Sequence, residues 1–349
     1  MSIAFRFARP EELDEVIHLV GHSFPGVGRT PESWKERFSE TSYGDGPEIL
    51  WVGEESGRLV ASCQLHRIAH WISGVEMSAM GLGTVAMAPT HRQRGLGGRL
   101  IETALHAARE RGDLVTSLYP FRASFYGRLG YGMAGEAYQH HLPTAALPAS
   151  EERDGVEIMR GEAGLAEVRA LYDAWAPTQT GQVRRTARLW REMVFGPDRI
   201  LVGYRGGGGA LEGYALATYP MQLPPDERYL SVDEHAWLTP RARRGLYGWL
   251  ASLGDQWRAV VLRSLPEHRL TDWLREPRLG GGRVPSWGLW FPSAAVMGGP
   301  MLRLLDLEGA WRIRRVDPEA VLTLALDVQD AQLTGNAGRW RLRLEGGAV

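Results

Sequence analysis

Apolar and polar positions along residues 1–145 alternate between two periods. Leu13, Val16, Ile17 and Val20 recur at the spacing of one helical face, whereas period-two or short continuous apolar runs surround this helix. Strands are predicted at 3–9, 49–54, 59–70, 77–88 and 114–118, and helices at 10–22, 32–38 and 95–111. Because strands alternate with helices, an α/β domain ending near residue 145 is expected.

The remainder of the chain repeats this alternation. Residues 142–155 are rich in Pro, Ala and Ser and mark a predicted boundary, and residues 280–300 form a second Gly- and Pro-rich connector. Between them, strands are predicted at 199–203, 213–219, 229–238 and 259–263, and helices at 163–174 and 240–253. Strands at 322–328 and 340–344 follow. The predicted domains are therefore 1–145, 150–292 and 293–349.

Composition narrows the class of protein. The 349 residues are 44% hydrophobic and 23% charged, and no window reaches the ~20 apolar residues of a membrane span. The N-terminus has no apolar signal core, and the single cysteine, Cys63, excludes an intrachain disulfide, which together fit a reducing cytoplasm. Cys63 is interpreted as a small buried residue. A net charge of −1 argues against a nucleic-acid partner, and no membrane partner or metal is expected.

One segment occurs twice. Residues 88–100, APTHRQRGLGGRL, resemble residues 239–250, TPRARRGLYGWL, with one deletion. Each copy follows a predicted strand and opens a predicted helix. The simplest interpretation is two copies of one fold, about 150 residues apart.

The first copy predicts a site for a diphosphate. Amides at a helix N-terminus lack internal partners, and glycines allow the backbone to curl around an anion. Arg92 and Arg94 precede Gly95 and Gly97, and residues 92–97 fit the pattern Gln/Arg-x-x-Gly-x-Gly/Ala. The strand that precedes this turn has backbone groups at Val85 and Met87 that could pair with an amide-bearing ligand such as the pantetheine arm of coenzyme A.

Other glycine-rich sites do not fit this spacing. No Gly-Lys-Ser/Thr is present, and the third glycine of a dinucleotide fingerprint is replaced by Leu100. A basic turn that only caps a surface helix remains an alternative. In the second copy, Ala242 and Tyr247 replace the basic or amide residue and the second glycine. The second domain is therefore predicted not to bind coenzyme A.

A candidate acid follows the strand at 114–118. Tyr126 lies in the segment SFYGRLGYG, which spans residues 124–132. A phenol of pKa about 10 can protonate a leaving thiol of pKa about 8.5. Both Tyr126 and Tyr131 could instead be packing aromatics. Packing is favoured for Tyr131, and the acid role is favoured for Tyr126 on the likeness described next.

Together these residues resemble the GNAT superfamily of N-acetyltransferases, and within it the Eis (enhanced intracellular survival) family. The matching segments are VAMAPTHRQRGLG at 85–97 and FYGRLGYG at 125–132. The likeness implies tandem acyl-CoA N-acyltransferase folds of α/β (α+β) class. It also implies a partial sterol-carrier-like α+β segment from residue 293 onward.

The resemblance implies acetyl transfer from acetyl-CoA to an amine, with Tyr126 as the general acid. It further implies hexameric assembly and an aminoglycoside, polyamine or lysine-type acceptor. Phe24, Trp34, Gly83, Thr84 and Tyr119 match stretches that line the amine pocket. The residues implied to contact acetyl-CoA are Val85, Ala86, Met87, Gln93, Arg94, Gly95, Leu96, Gly97, Gly98, Phe121 and Arg122.

The general base departs from the family pattern. In the family the base is the C-terminal carboxylate at the end of a full sterol-carrier-like domain, whereas this sequence ends at Val349, about halfway through it. Val349 is not expected in that position. The other titratable candidates are His91, Asp233, Glu234 and His235. Two rival hypotheses stay open: a protein that binds coenzyme A or a lipid without turnover, and a scaffold that assembles through the C-terminal segment.

Overall fold

The computed structural model describes residues 3–25, 29–39, 49–220, 229–278 and 292–349. Most of the predicted connector at 280–300 lies outside the described residues. Among the described residues, no helix combines the length and apolar character needed to cross a bilayer.

The chain divides into two compact units. The first comprises residues 1–134, 177–186 and 300–349, and the second comprises residues 135–176 and 187–299. This division differs from the predicted three domains, because the chain passes between the units several times.

The N-terminal stretch of the first unit contains the predicted strands and helices within a few residues of their expected bounds. These are β1 Ala4–Phe7, α1 Leu13–Ser23, α2 Pro31–Ser39, β2 Leu50–Glu55, β3 Arg58–Ile72, β4 Val75–Met87, α3 Leu96–Glu110, β5 Val115–Leu118, α4 Ala123–Gly127 and β6 Gly132–Met133. The α3 helix forms because Leu96, Leu100, Ile101 and Leu105 place their side chains on one buried face.

The second unit is formed by the middle of the chain. Its elements are β7 Glu136–Pro143, β8 Val156–Ile158, α5 Gly161–Trp175, α6 Ala187–Val194, β9 Arg199–Arg205, β10 Leu211–Thr218, β11 Tyr229–Trp237, α7 Pro240–Ser252, β12 Ala259–Ser264 and β13 Ala295–Gly298. The strand order is β13-β7-β12-β11-β10-β9-β8. Its core contains Val202, Tyr204, Leu246, Tyr247 and Leu250.

The C-terminal residues return to the first unit. They form β14 Met301–Leu304, α8 Leu307–Arg312, β15 Leu322–Val328 and β16 Gly338–Leu344. β14 pairs with both β5 and β6, which gives the first sheet the order β1-β2-β3-β4-β5-β14-β6, and β15 and β16 form a separate two-stranded sheet.

Two predicted boundaries differ from the observed units. The expected end of the first domain near 145 lies at Ala134, because β7 hydrogen-bonds to β12 in the second sheet. The expected third domain, from residue 293 onward, is not separate from the other two. Its first strand, β13, pairs with β7 in the second sheet, and its next strand, β14, pairs with β5 in the first sheet. The sterol-carrier-like character of the last segment stays a prediction.

The first sheet carries helices on both faces. Trp51 packs in the core with the buried side of α3, whereas its neighbours Leu50 and Val52 pack with α1 and α2. Adjacent residues of a strand point to opposite faces of the sheet. The α3 helix therefore covers one face, called here the α3 face, and the α1–α2 pair covers the other, called the α1–α2 face.

Candidate active site

Strands β4 and β5 separate in the middle of the first sheet. Their parallel pairing covers Ala79 to Gly81 on β4 and ends at the pair Gly81–Ser117. β4 continues to Met87, and over residues 82–87 it pairs only with β3 among the described strands. The two strands thus enclose a wedge-shaped gap, and one edge of that gap is the unpaired side of β4.

A bulge lies in the same part of β4. Ser62 of β3 pairs with Ala86 and Gln64 pairs with Gly83, so that Thr84 and Val85 lie opposite the single residue Cys63. Thr84 has φ +46, a left-handed conformation that is uncommon outside glycine. A bulge takes peptide groups out of the ladder and redirects side chains. Peptide groups near Val85 are therefore available beside the gap.

The predicted diphosphate turn immediately precedes α3. Gly95 caps the helix with φ +73, and Gln93 has φ +61. Within the described residues, the backbone amides of residues 93–97 donate no hydrogen bond. A Cβ added to Gly98 would meet no atom within 4 Å. Donors without a partner, open space beside Gly98 and the positive end of a helix fit a diphosphate.

The start of α3 lies close to the gap. A Cβ on Gly97 would be 3.4 Å from Phe125 Cζ and 3.7 Å from Met87 Cε. Gly97 therefore allows the first turn of α3 to pack against the end of β4 and against α4. The turn, the edge of β4 and the α4 segment that carries Tyr126 are neighbours within the first unit.

Tyr126 lies on α4 and lines a cavity of about 350 Å³. Its ring is 4% exposed and packs edge-on against Phe121, Phe125 and Tyr131, with ring centroids 5.6, 5.0 and 5.9 Å away. Among the described residues its hydroxyl has no hydrogen-bond partner, and burial raises its pKa to about 12. The phenol therefore stays protonated at neutral pH.

Tyr131 differs from Tyr126 in this respect. It is buried and its hydroxyl is 3.1 Å from Thr116 Oγ1, and burial raises its pKa above the ordinary value. Tyr131 does not line the cavity. The interpretation of Tyr131 as a packing residue agrees with this geometry.

The cavity lies wholly within the first unit, and its lining is mainly apolar and aromatic. No carboxylate is found among the described residues that line it. The lining residues are Phe24, His66, Ile68, His70, Gly81, Leu82, Gly83, Thr84, Val85, Ser117, Leu118, Tyr119, Phe121, Tyr126, Gly181, Val183 and Pro300.

Most of the residues predicted for the amine pocket line this cavity. Phe24, Gly83, Thr84 and Tyr119 do so, whereas Trp34 does not. Trp34 is 5% exposed and packs against Phe38 in the core under α1 and α2, with a centroid distance of 5.4 Å. The helical spacing of Trp34 and Phe38 in the sequence therefore indicates two residues of this core.

The residues predicted to contact acetyl-CoA divide into three places. Val85, Ala86 and Met87 lie on the β4 edge, and residues 93–98 form the turn. Phe121 lines the cavity and is 72% exposed. Arg122 is the N-cap residue of α4 and is exposed.

None of the four predicted base candidates lines the cavity. His91 Nε2 is 2.8 Å from the Glu55 carboxylate. The other three lie on β11 in the second unit. There, burial lowers the pKa of His235 to about 3, while Asp233 and Glu234 accept hydrogen bonds from hydroxyl groups of β10 and β11.

Two histidines of the cavity were not predicted. His66 and His70 alternate with Ile68 on one face of β3, and all three line the cavity. His70 Nε2 is 2.9 Å from Ser117 Oγ, and its Nδ1 is 3.3 Å from the Gly181 carbonyl oxygen. Burial lowers the pKa of His70. The period-two spacing of His66 and His70 in a long predicted strand indicates that both side chains share one face. Only the pairing of the strands in the sheet brings Ser117 next to His70.

The second copy of the motif has no comparable opening. A Cβ on Gly245 of α7 would lie 2.3 Å from Tyr204 Cδ2 and 3.0 Å from the Glu152 carbonyl oxygen. Tyr247 is 1% exposed and belongs to the core of the second unit. Gly245 therefore allows close packing, whereas Gly98 of the first copy faces open space. That the second copy binds no coenzyme A stays a prediction.

Two parts of the chain match sequence profiles described as "Acetyltransferase (GNAT) domain". The matches cover residues 4–134 and 181–304. Full-length relatives are also similar. An uncharacterized N-acetyltransferase of Streptomyces griseus is 29% identical over 371 aligned positions, which cover 98% of this chain and 83% of the relative. The N-acetyltransferase Eis of Mycobacterium bovis is 25% identical over 316 positions, which cover 87% and 73% of the two chains.

Solved structures share the fold. A GCN5-related N-acetyltransferase from Anabaena variabilis superposes with a TM-score of 0.83 at 19% identity, covering 99% of this chain and 84% of that one. Eis1 from Mycobacterium abscessus superposes with a TM-score of 0.75 at 20% identity, covering 99% and 86%. The predicted α/β class with tandem GNAT folds is confirmed.

Proposed function

Since this chain is an acetyltransferase with two GNAT domains, we propose that its first unit transfers acetyl from acetyl-CoA to an amine held in the 350 Å³ cavity. The observation that carries this proposal is the convergence of three features in that unit: the unpaired edge of β4, the turn with free amides before α3, and a buried phenol on α4.

The proposed coenzyme site is built from backbone groups. The amides of residues 93–97 would hold the diphosphate, with Arg92 and Arg94 adding positive charge. The edge of β4 near Val85 would pair with the amides of the pantetheine arm. At Met87 the arm would displace the Ser23 hydroxyl, which lies 3.2 Å from the Met87 amide nitrogen and 3.3 Å from its carbonyl oxygen. Acetyl-CoA supplies an acyl group activated as a thioester.

Tyr126 is the proposed general acid. As the amine nitrogen bonds to the acetyl carbon, the carbon–sulfur bond breaks and the sulfur takes the phenolic proton. The nitrogen loses one proton to a base, and Tyr126 regains its proton from solvent. The raised pKa of about 12 keeps the proton on the phenol until the thiolate forms.

The charge of the cavity lining favours some acceptor amines over others. Aminoglycosides, polyamines and lysine side chains are the proposed classes. A polycation would place several charges against a lining in which the described residues supply no carboxylate, and unpaired buried charge is costly. A single amine on an aliphatic chain, as in lysine, is therefore the favoured acceptor.

Thiol release from acetyl-CoA with a panel of lysine peptides, polyamines and aminoglycosides tests this proposal. Wild-type protein should release thiol with at least one amine, and most efficiently with lysine peptides. Tyr126→Phe should bind acetyl-CoA normally and lose turnover by about 10²-fold or more. Tight acetyl-CoA binding without release for any amine would instead support a non-catalytic binding protein.

The resemblance also supports a cytoplasmic homohexamer and a sterol-carrier-like C-terminal segment. Light scattering after size exclusion tests the assembly, and a monomeric mass would contradict it.

A further inference from the structure

Acetylation of an amine needs a group that accepts the proton lost by the attacking nitrogen. None of the four candidates from the sequence lines the cavity. We propose that His70, acting through the Ser117 hydroxyl, accepts this proton; the assignment rests on the proposed acetyl transfer.

The hydrogen bonds of His70 determine its tautomer. The Gly181 carbonyl oxygen can only accept, so Nδ1 of His70 carries the proton and donates to it at 3.3 Å. The neutral ring then has an unprotonated Nε2, which accepts the Ser117 hydroxyl proton at 2.9 Å. The second nitrogen of the ring is thus held ready to take a proton from Ser117.

Ser117 lies at the apex of the gap between β4 and β5. It forms the last parallel pair with Gly81, and both it and His70 line the cavity. The Ser117 hydroxyl is therefore a polar group of the cavity wall that lies at the gap and is hydrogen-bonded to the buried imidazole. A nitrogen at the gap could pass its proton to Ser117 Oγ while Ser117 passes its own proton to Nε2.

The acid and the proposed base approach from opposite faces of the sheet. Leu65 of β3 packs with Tyr126 in the core on the α3 face. His70 is five residues further along the same strand, so its side chain points to the α1–α2 face. An acid and a base on opposite faces could serve the leaving sulfur and the attacking nitrogen separately.

The surroundings of His70 favour the neutral form. Burial lowers its pKa, and the Gly181 carbonyl opposes this in part. No charged side chain of the described residues contributes to this shift. Neighbouring strands and residues 181–183 place Met77, Ser117, Gly181 and Val183 against it, and the titratable groups that share its cavity are His66, Tyr119 and Tyr126.

The acceptor enters as the neutral amine, its ammonium form having first released one proton to solvent, and these groups then complete the proton balance. The new carbon–nitrogen bond forms as the carbon–sulfur bond breaks, and one nitrogen proton moves to Ser117 as the Ser117 proton moves to His70. Tyr126 protonates the sulfur. His70 then releases its proton to solvent, and no oxidant, reductant or metal is needed.

The pH dependence of kcat/KM with a lysine peptide tests the relay, using wild type, His70→Gln and Ser117→Ala. Wild-type kcat/KM should fall with the neutral fraction of the amine below the amine's own pKa of about 10.4. It should fall more steeply, in a further acidic limb, below a pKa lower than 6.5, because protonated His70 cannot accept a proton. Both variants should lose about 10²-fold in kcat near neutral pH and lose that acidic limb, while the acetyl-CoA Kd stays unchanged. Ser117→Thr, which retains a hydroxyl, should recover part of the rate.

Controls separate this proposal from folding and from the proposed function. His106→Gln, on the exposed side of α3, is the matched histidine control. It should keep the wild-type kcat and the acidic limb of kcat/KM. An active wild type whose acidic limb persists in His70→Gln would overturn the relay. Loss of the limb in His66→Gln but not in His70→Gln would overturn it in favour of the other histidine. A wild type inactive with every amine would instead contradict the proposed acetyl transfer.

Discussion

Gly98 of the first motif copy and Gly245 of the second should respond to alanine in opposite ways. At Gly98 the added Cβ meets nothing within 4 Å, whereas at Gly245 it lies 2.3 Å from Tyr204 Cδ2. Ordinary contact begins at 3.4 Å, so the Tyr204 ring must move by about 1 Å. Tyr204 is 3% exposed and its hydroxyl donates to Glu152, which leaves the ring little freedom to move.

The net change in the free energy of unfolding follows from these contacts. For Gly245→Ala, overpacking costs about 1–3 kcal/mol and a weakened hydrogen bond to a carboxylate about 1.5–3, against a helix-propensity gain of about 1 kcal/mol. A net loss of about 1.5–5 kcal/mol is expected. Gly98→Ala gains up to about 1 kcal/mol from propensity, without a clash.

Guanidinium denaturation followed by tryptophan fluorescence measures this difference, and calorimetric titration measures acetyl-CoA binding. Gly245→Ala should unfold at lower denaturant and bind acetyl-CoA normally while folded. Gly98→Ala should be at least as stable as wild type and bind about tenfold more weakly, since its methyl group enters the proposed diphosphate site. Equal destabilisation by both substitutions would refute the distinction between an open and a packed copy.

Two further predictions concern charged groups of the first unit. Asp330→Asn should lower the free energy of unfolding, measured with denaturant, by about 3–5 kcal/mol. The Asp330 carboxylate lies 2.7 Å from the 4%-exposed Arg303 side chain, and removing its charge leaves the buried Arg303 charge unpaired. A loss under 1 kcal/mol would contradict this. Hydrogen bonds from Arg6 lower the pKa of Glu12 from 4.5 to about 2. The ionised Glu12 carboxylate therefore contributes its full stabilisation of the folded state above pH 4.5, and this contribution is lost as the pH falls through 2. The stability difference between wild type and Glu12→Gln should therefore shrink from pH 6 to pH 2, and a constant difference would count against it.

Local periodicity was sufficient to predict much of the first unit. The apolar face of α3 and the long runs of β3 and β4 were predicted within a few residues, and the glycine turn lies where its pattern places it. These features depend on residues that are close in sequence. The likeness of the two motif copies also predicted the repeated fold.

Features that depend on distant pairing could not be predicted in this way. β7 lies just before a Pro-rich stretch and resembled the start of a linker, because its partner β12 is more than 100 residues away. β14 is a short strand that follows the Gly- and Pro-rich stretch, and it completes the first sheet only through β5 and β6. His70 and Ser117 meet only after β3, β4 and β5 have paired.

A structure of the whole protein with coenzyme A bound is the decisive test of the proposed coenzyme site. The diphosphate oxygens should lie within hydrogen-bond distance of the amides of residues 93–97, the pantetheine arm along the β4 edge, and the thiol beside the Tyr126 hydroxyl. Coenzyme bound elsewhere, with that turn empty or filled by a side chain, would contradict it.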